Sequence, residues 1–347
     1  VLTPFRTLLV RLAFALLLGP LSVSPIRADG ARLTIVATTT QAADLTRILT
    51  AGAPGIDVIA LMGAGIDPHL YQPTEADILA MSRADLIVYS GLRLEGQFEA
   101  VFRALGERGR HVFALGQPVK AAGFIVGGFT LGAEYVDVDD PHFWFDPRNW
   151  AIAARALAAE LARLDPDHAG IYAVNADAYA ADLEALFAWA DAGMRSVAER
   201  QRYLVTSHDA FYYFSAAFGW RTAAVQGLST RDEAGVGDIQ AIAAFVREHS
   251  VPVLFVESSI PPATIQAVIA AVNADGGAVR IGVRDLFSDA MGVPGTFGGT
   301  YIGMFAHNIY TILQSYQCAG VPVTIPPWPA GLEPVPPAEL LAVDCAL

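Results

Sequence analysis

The chain has 347 residues, a formal net charge of −13 and 54% hydrophobic residues. That length suits two domains of ordinary size, and hydrophobic content this high supplies buried cores and excludes general disorder. With Lys120 as the only lysine and no basic run in the body of the chain, the acidic balance excludes nucleic acid and anionic membrane as partners, since phosphate recognition needs clustered Lys and Arg.

Residues 1–28 read as a cleaved secretory signal. Arg6 and Arg11 supply a positive start, 12–21 is a short apolar core, and Ile26-Arg27-Ala28 ends on a small residue suited to cleavage. The apolar run is too short to be a membrane anchor, and no cysteine stands near the cleavage point to carry a lipid. Loss of three arginines and no acid takes the net charge to about −16. Export places Cys318 and Cys345 in an oxidising compartment, where a pair of cysteines bridges; a disulfide would pin the proline-rich tail back onto the last helix.

After the signal, 33–37 is an apolar, β-branched strand, and Thr38-Thr39-Thr40 can cap a helix running to Leu49. The run 58–61 reads as a buried strand leading into Gly65-Ile66-Asp67-Pro68-His69. Thr74 can then cap a further helix, with Asp77 as its capping partner. Strand 86–89, a helix over 96–105 and strand 111–115 follow. Residues 123–140 are glycine-rich, acidic and irregular, and end in Asp140-Pro141-His142-Phe143-Trp144. A helix begins at Pro147, a favoured first helical residue, and runs to about Leu164. Helical spacing over 166–200 predicts one long helix, or two in line, acting as a spine between domains. Beyond it come strand 203–207 ending at His208-Asp209, a helix carrying Phe211, Phe214 and Phe218, and strand 253–256 followed by Glu257. A helix over 262–274, strand 279–281 leading to Asp285 and Asp289, and a last helix from Thr300 to about Gln317 complete the chain. Strands alternating with helices give an α/β fold: two lobes of mainly parallel sheet flanked by helices and joined by the spine. The expected boundaries are 29–165 for the first lobe, 166–200 for the linking helix and 201–347 for the second.

His69, His142 and His208 each stand just after a strand or between prolines, and Asp289 ends a comparable segment. Ligands of open α/β sheets bind at the carboxyl edge of the strands. If both sheets turn that edge to one cleft, the four side chains converge there. Three imidazoles and one carboxylate suit a tetrahedral zinc site, because imidazole favours zinc, copper and nickel over magnesium and calcium.

Five motifs stand in order: Asp67-Pro68-His69 with Tyr71 and Pro73, Asp140-Pro141-His142 with Trp144, Ser207-His208-Asp209-Ala210-Phe211, Phe255-Val256-Glu257-Ser258, and Ser288-Asp289 leading to Thr300-Tyr301 and His307-Asn308. In these the chain resembles the metal-specific solute-binding proteins of ABC uptake transporters, in their zinc branch, over nearly the whole mature sequence. The resemblance implies Zn2+ held between two lobes by His69, His142, His208 and Asp289. It also implies a monomer in the periplasm and delivery to an ABC permease in the inner membrane; a periplasmic zinc-loading protein is a further candidate partner. Manganese members generally carry a carboxylate where His208 stands. Many zinc members carry a histidine-rich loop before the second ligand; 123–140 has no histidine, and Asp137, Asp139 and Asp140 read as solvated loop charge.

Glu257 is the candidate to support a ligating histidine through its free ring nitrogen, with helix capping as the alternative. His111, His168, His249 and His307 read as ordinary surface or packing residues. A zinc hydrolase is the competing reading from another class, but four protein ligands leave no open position for water, and neither His-Glu-x-x-His nor Gly-x-Ser-x-Gly occurs. Adhesion and manganese binding remain alternatives within the same fold.

Overall fold

Ile35, Val36 and Ala37 are fully buried, because the strand they belong to has neighbours on both edges and helices on both faces. The structure is a computed structural model that describes residues 33–131, 135–231 and 233–345; the predicted signal at 1–28 lies outside the described residues. In the first lobe the order of elements is β1 (Leu33–Ala37), α1 (Thr40–Thr50), β2 (Ile56–Ala60), α2 (Glu75–Arg83), β3 (Leu86–Tyr89), α3 (Glu99–Glu107), β4 (His111–Ala114) and α4 (Gly116–Ala121). The sheet order is β2-β1-β3-β4 and every pairing is parallel. Alternation of strand and helix forces this arrangement, since parallel neighbours need a crossover.

Local chemistry sets the helix starts. Thr39 Oγ1 accepts from Ala42 N at the head of α1. Thr74 and Asp77 form the expected capping box at α2. Two expectations differ from the structure. The segment expected to be a buried strand at 58–61 is β2, an edge strand that pairs only with β1 and leaves Asp57, Ile59 and Ala60 exposed. β-branched residues suit a half-covered edge as well as a core. The segment expected to be irregular, 123–140, holds a short antiparallel hairpin, β5 (Phe129–Leu131) with β6 (Tyr135–Val138).

Asp146 caps α5 (Pro147–Leu164), with Pro147 in its first turn. α6 (Ala169–Met194) is the spine, a single helix bracketed by short 3-10 turns at Pro166–His168 and Glu199–Gln201. Tyr172, Ala176, Tyr179, Leu183, Leu186 and Ala190 recur every three or four residues along its buried side. The second lobe follows as β7 (Tyr203–His208), α7 (Tyr212–Phe218), β8 (Arg221–Gln226), α8 (Val236–His249), β9 (Val253–Leu254), α9 (Ala263–Ala274), β10 (Arg280–Ile281) and α10 (Tyr301–Cys318), with α11 (Ala338–Leu341) in the tail. Its sheet runs β10-β9-β7-β8, again all parallel.

One continuous apolar core joins the lobes. It contains Ile35 and Val88 of the first sheet, Leu204 and Val253 of the second, and the inner faces of α1, α5, α6 and α10 between them. The tail lies along this core: Trp189 Nε1 donates to Pro326 O at 3.0 Å, and Leu340 is buried. Cys318 and Cys345 are bonded, and Arg280 donates to the carbonyls of both. No helix among the described residues is long and apolar enough to cross a membrane.

The bridge closes a segment with a sequence separation of 27, for which loop-closure entropy is worth about 3 kcal/mol. Replacing both cysteines by serine is expected to lower the thermal midpoint measurably and leave metal affinity unchanged; calorimetric melts and a metal titration check both.

Candidate metal centre

Two short turns of the same design present the first two histidines. In Asp67-Pro68-His69, Asp67 Oδ1 accepts from His69 N at 2.8 Å; in Asp140-Pro141-His142, Asp140 Oδ1 accepts from His142 N at 2.9 Å. Each proline stops helix from forming through the turn, and the aspartate ties the backbone two residues on. His208 is the last residue of β7, at the carboxyl edge of the second sheet. Asp289 follows the bridge that pairs Leu286 with Glu257.

The structure brings all four predicted side chains together. His69, His142, His208 and Asp289 each offer an atom to one buried cluster in which every donor lies within 4.8 Å of the others. His69 Nε2 and His142 Nε2 are 3.3 Å apart; Asp289 Oδ2 lies 3.2 Å from His208 Nε2 and 3.8 Å from His69 Nε2, and Asp289 Oδ1 lies 3.4 Å from His142 Nε2. Zinc–nitrogen and zinc–oxygen bonds of about 2.0–2.1 Å set the edges of a tetrahedron at roughly 3.3–3.4 Å. Three of the four separations, 3.2, 3.3 and 3.4 Å, are close to those edges, and the fourth is longer at 3.8 Å.

Carboxylates orient two of the rings. Asp140 Oδ1 lies 2.8 Å from His142 Nδ1, and Glu257 Oε2 lies 2.6 Å from His208 Nδ1 while its Oε1 accepts from His208 N. A carboxylate can only accept, so each Nδ1 carries a hydrogen and each Nε2 faces the cluster. Glu257 thus sits where its supporting role requires. Asp140 is a correction: expected as solvated loop charge, it is fully buried beneath His142. The repeated Asp-Pro-His was the signal, because both aspartates stand two residues before a ring. Asp139, by contrast, pairs with Lys120 at 2.6 Å on the surface. Asp285 contributes only its backbone carbonyl, which accepts from His307 Nε2. Trp144 lies edge-on to His142 with ring centroids 5.3 Å apart.

Burial lowers the pKa of His69 to about 3, against the partial pull of Asp289. Burial also pushes His142 down, but its contacts with Asp140 and Asp289 outweigh that and raise it to about 9. Glu257 and Asp289 likewise overcome burial at His208 and raise it well above the usual histidine range. Asp289 is pushed up by burial but held well below the usual carboxylate range by His208, His142 and His69. In the metal-free cluster these shifts favour a proton on His142 and on His208 beside an ionised Asp289. A divalent ion that displaces both protons replaces two positive charges by two.

Two parallel α/β lobes, one long connecting helix and a buried three-histidine, one-carboxylate site between the strand ends define the metal-binding, substrate-capturing component of an ABC uptake system. Residues 35–315 match the family described as ZnuA, Zinc-uptake complex component A periplasmic, and the chain belongs to it. The family is one of solute-binding proteins, not enzymes. The chain is 40% identical over 289 residues to the zinc-binding protein TroA of Treponema pallidum (strain Nichols), covering 83% of this chain and 90% of that protein. It is 37% identical over 286 residues to the manganese-binding lipoprotein MntA of Bacillus subtilis (strain 168), covering 82% and 90%. The solved structure of the periplasmic zinc-binding protein TroA from Treponema pallidum aligns with a TM-score of 0.76 at 38% identity, over 82% of this chain and 99% of that one. The relatives' names place them outside the cytoplasm, as periplasmic or lipid-anchored proteins.

Because His142 and His208 must lose protons to ligate while His69 is already neutral, binding is expected to release about two protons per ion at neutral pH. The sign follows from raised pKa values: with two protons to displace, apparent affinity falls roughly a hundredfold per unit as the pH drops below about 9. Titration calorimetry in buffers of different ionisation enthalpy reads the proton count; a count of zero at pH 7 contradicts the assignment. Glu257→Gln is expected to cost about tenfold or more in affinity, since it loosens His208 and lowers its basicity.

Proposed function

We propose that this protein captures Zn2+ outside the cytoplasm, with His69, His142, His208 and Asp289 as ligands, and delivers it to an ABC permease in the inner membrane. The observation that carries the reading is the set of three imidazole nitrogens and one carboxylate, all buried, at separations close to the edges of a zinc tetrahedron. Neutral imidazoles suit zinc, whereas manganese favours oxygen donors in larger number. Asp289 would bring the charge of ion and direct ligands from +2 to about +1, which offsets part of the cost of burying a dication. The protein acts as a monomer in the periplasm, with a cleaved signal at 1–28, lobes at 29–165 and 201–347 and the linking helix at 166–200. Manganese is the second reading, favoured by the similarity to the manganese-binding MntA.

Metal analysis of purified protein, followed by competition between zinc and manganese, tests the choice. Zinc is expected to bind tighter by about a hundredfold or more; equal affinities would sink the zinc reading and support manganese. Asp289→Ala is expected to weaken zinc binding without abolishing it, and Asp285→Ala to leave it nearly unchanged. The core shared by both lobes and α6 supports a small closure movement rather than a wide hinge. X-ray scattering of the metal-free and zinc-loaded protein reads that movement, and a large change in radius of gyration would refute it.

A further inference from the structure

Asp289 is aimed differently from the other three donors. His142 and His208 each rest Nδ1 on a carboxylate, and the backbone of His69 is held by Asp67. Among the described residues the two carboxylate oxygens of Asp289 face only the imidazole nitrogens of the other three donors, with no hydroxyl, amide or backbone N–H behind them. Its direction must therefore come from its main chain.

That main chain is gripped by α1, an element of the first lobe. Gln41 Nε2 donates to Asp289 O at 3.0 Å and lies 3.5 Å from Ser288 O. Thr40 Oγ1 donates to Gln41 Oε1 at 3.0 Å, which fixes the orientation of the amide, and accepts from Met291 N at 2.9 Å. One turn later Asp44 Oδ2 accepts from Tyr301 N at 2.9 Å. One helix thus holds both ends of the segment 289–301. Gln41 and Thr40 are buried, so water cannot easily replace these bonds. On the other side, the second lobe holds the residues just before Asp289: Leu286 pairs with Glu257, Asn308 brackets Phe287 through its N–H and its carbonyl, and the Ser288 and Ser259 hydroxyls lie 3.1 Å apart.

We propose that Gln41 is the positioning residue for Asp289, so that α1 presents this carboxylate to the metal alongside His69 and His142. Asp289 thus follows a segment anchored in the second lobe, while its own carbonyl and the N–H of Met291 are held by α1 of the first. The proposal rests on Asp289 being a ligand.

The test is a double-mutant cycle on zinc affinity at fixed pH, measured by chelator competition for the wild type, Gln41→Met, Asp289→Ala and the double variant. Gln41→Met keeps the bulk and removes both polar atoms. It is expected to weaken binding about tenfold or more, but to add less than about twofold when Asp289 is already alanine. The absorption spectrum of cobalt(II) bound to Gln41→Met should shift toward that of Asp289→Ala. Thr46→Val, at a buried position on the same helix whose hydroxyl donates to Ala42 O, reports a general disturbance of α1 and should leave affinity alone. A Gln41→Met effect that persists undiminished in the Asp289→Ala background, or no effect, overturns the proposal. If Asp289→Ala itself leaves affinity unchanged, the ligand assignment fails instead. Should Gln41→Met not fold, Thr40→Val removes the hydroxyl that orients the amide and is read in the same cycle.

Discussion

Three imidazole nitrogens cannot be packed side by side in a dry interior unless something holds each ring and something positive sits between them. The structure depends on how that constraint is met. Glu257 and Asp140 hold two rings from behind, at His208 Nδ1 and His142 Nδ1, and in doing so commit both of their Nε2 atoms to the cluster. Each carboxylate is itself buried and bonded twice, to a ring and to the backbone N–H of the same histidine. The burial of these charges is tolerated because they compensate one another; an unpaired one would cost several kcal/mol. The strand ends, the two Asp-Pro-His turns and the Asp289 segment serve to bring these groups to one point.

Much of this was legible in the residues. The capping box at Thr74 and Asp77, the start of α5 at Pro147 and the period of α6 are local signals, and local signals survive into the fold. His69, His142 and His208 were readable because each stands at a strand end or in a proline-bounded turn. Other features depend on long-range packing and leave little local trace. β8 has the weak pattern Arg-Thr-Ala-Ala-Val-Gln and is a strand because β7 lies beside it. The exposure of β2 is decided by having a neighbour on one edge only. Asp140 resembles its acidic neighbours in composition, and only the position of His142 takes it from surface to core. The grip of Gln41 on Asp289 spans 248 positions and has no signature in either segment.

The relatives make the metal question a physical one. Proteins with comparable similarity to this chain are named for zinc and for manganese, so overall likeness does not rank the two ions. What ranks them is the donor set, its softness and the number of oxygens it offers. On that criterion His208 decides more than the rest of the second lobe, because a carboxylate in its place would harden the site at one stroke. Glu257 fits an imidazole there, since its two oxygens meet His208 Nδ1 and the His208 N–H.

The exchange of two protons for one dication has a consequence for recognition. Loaded and empty protein carry nearly the same charge at the cluster, so a partner approaching from outside meets nearly the same long-range field in either state. Electrostatic steering, which governs how fast partners meet, then cannot favour the loaded form. What then differs between loaded and empty protein at the cluster is how its four side chains are held rather than how much charge they carry.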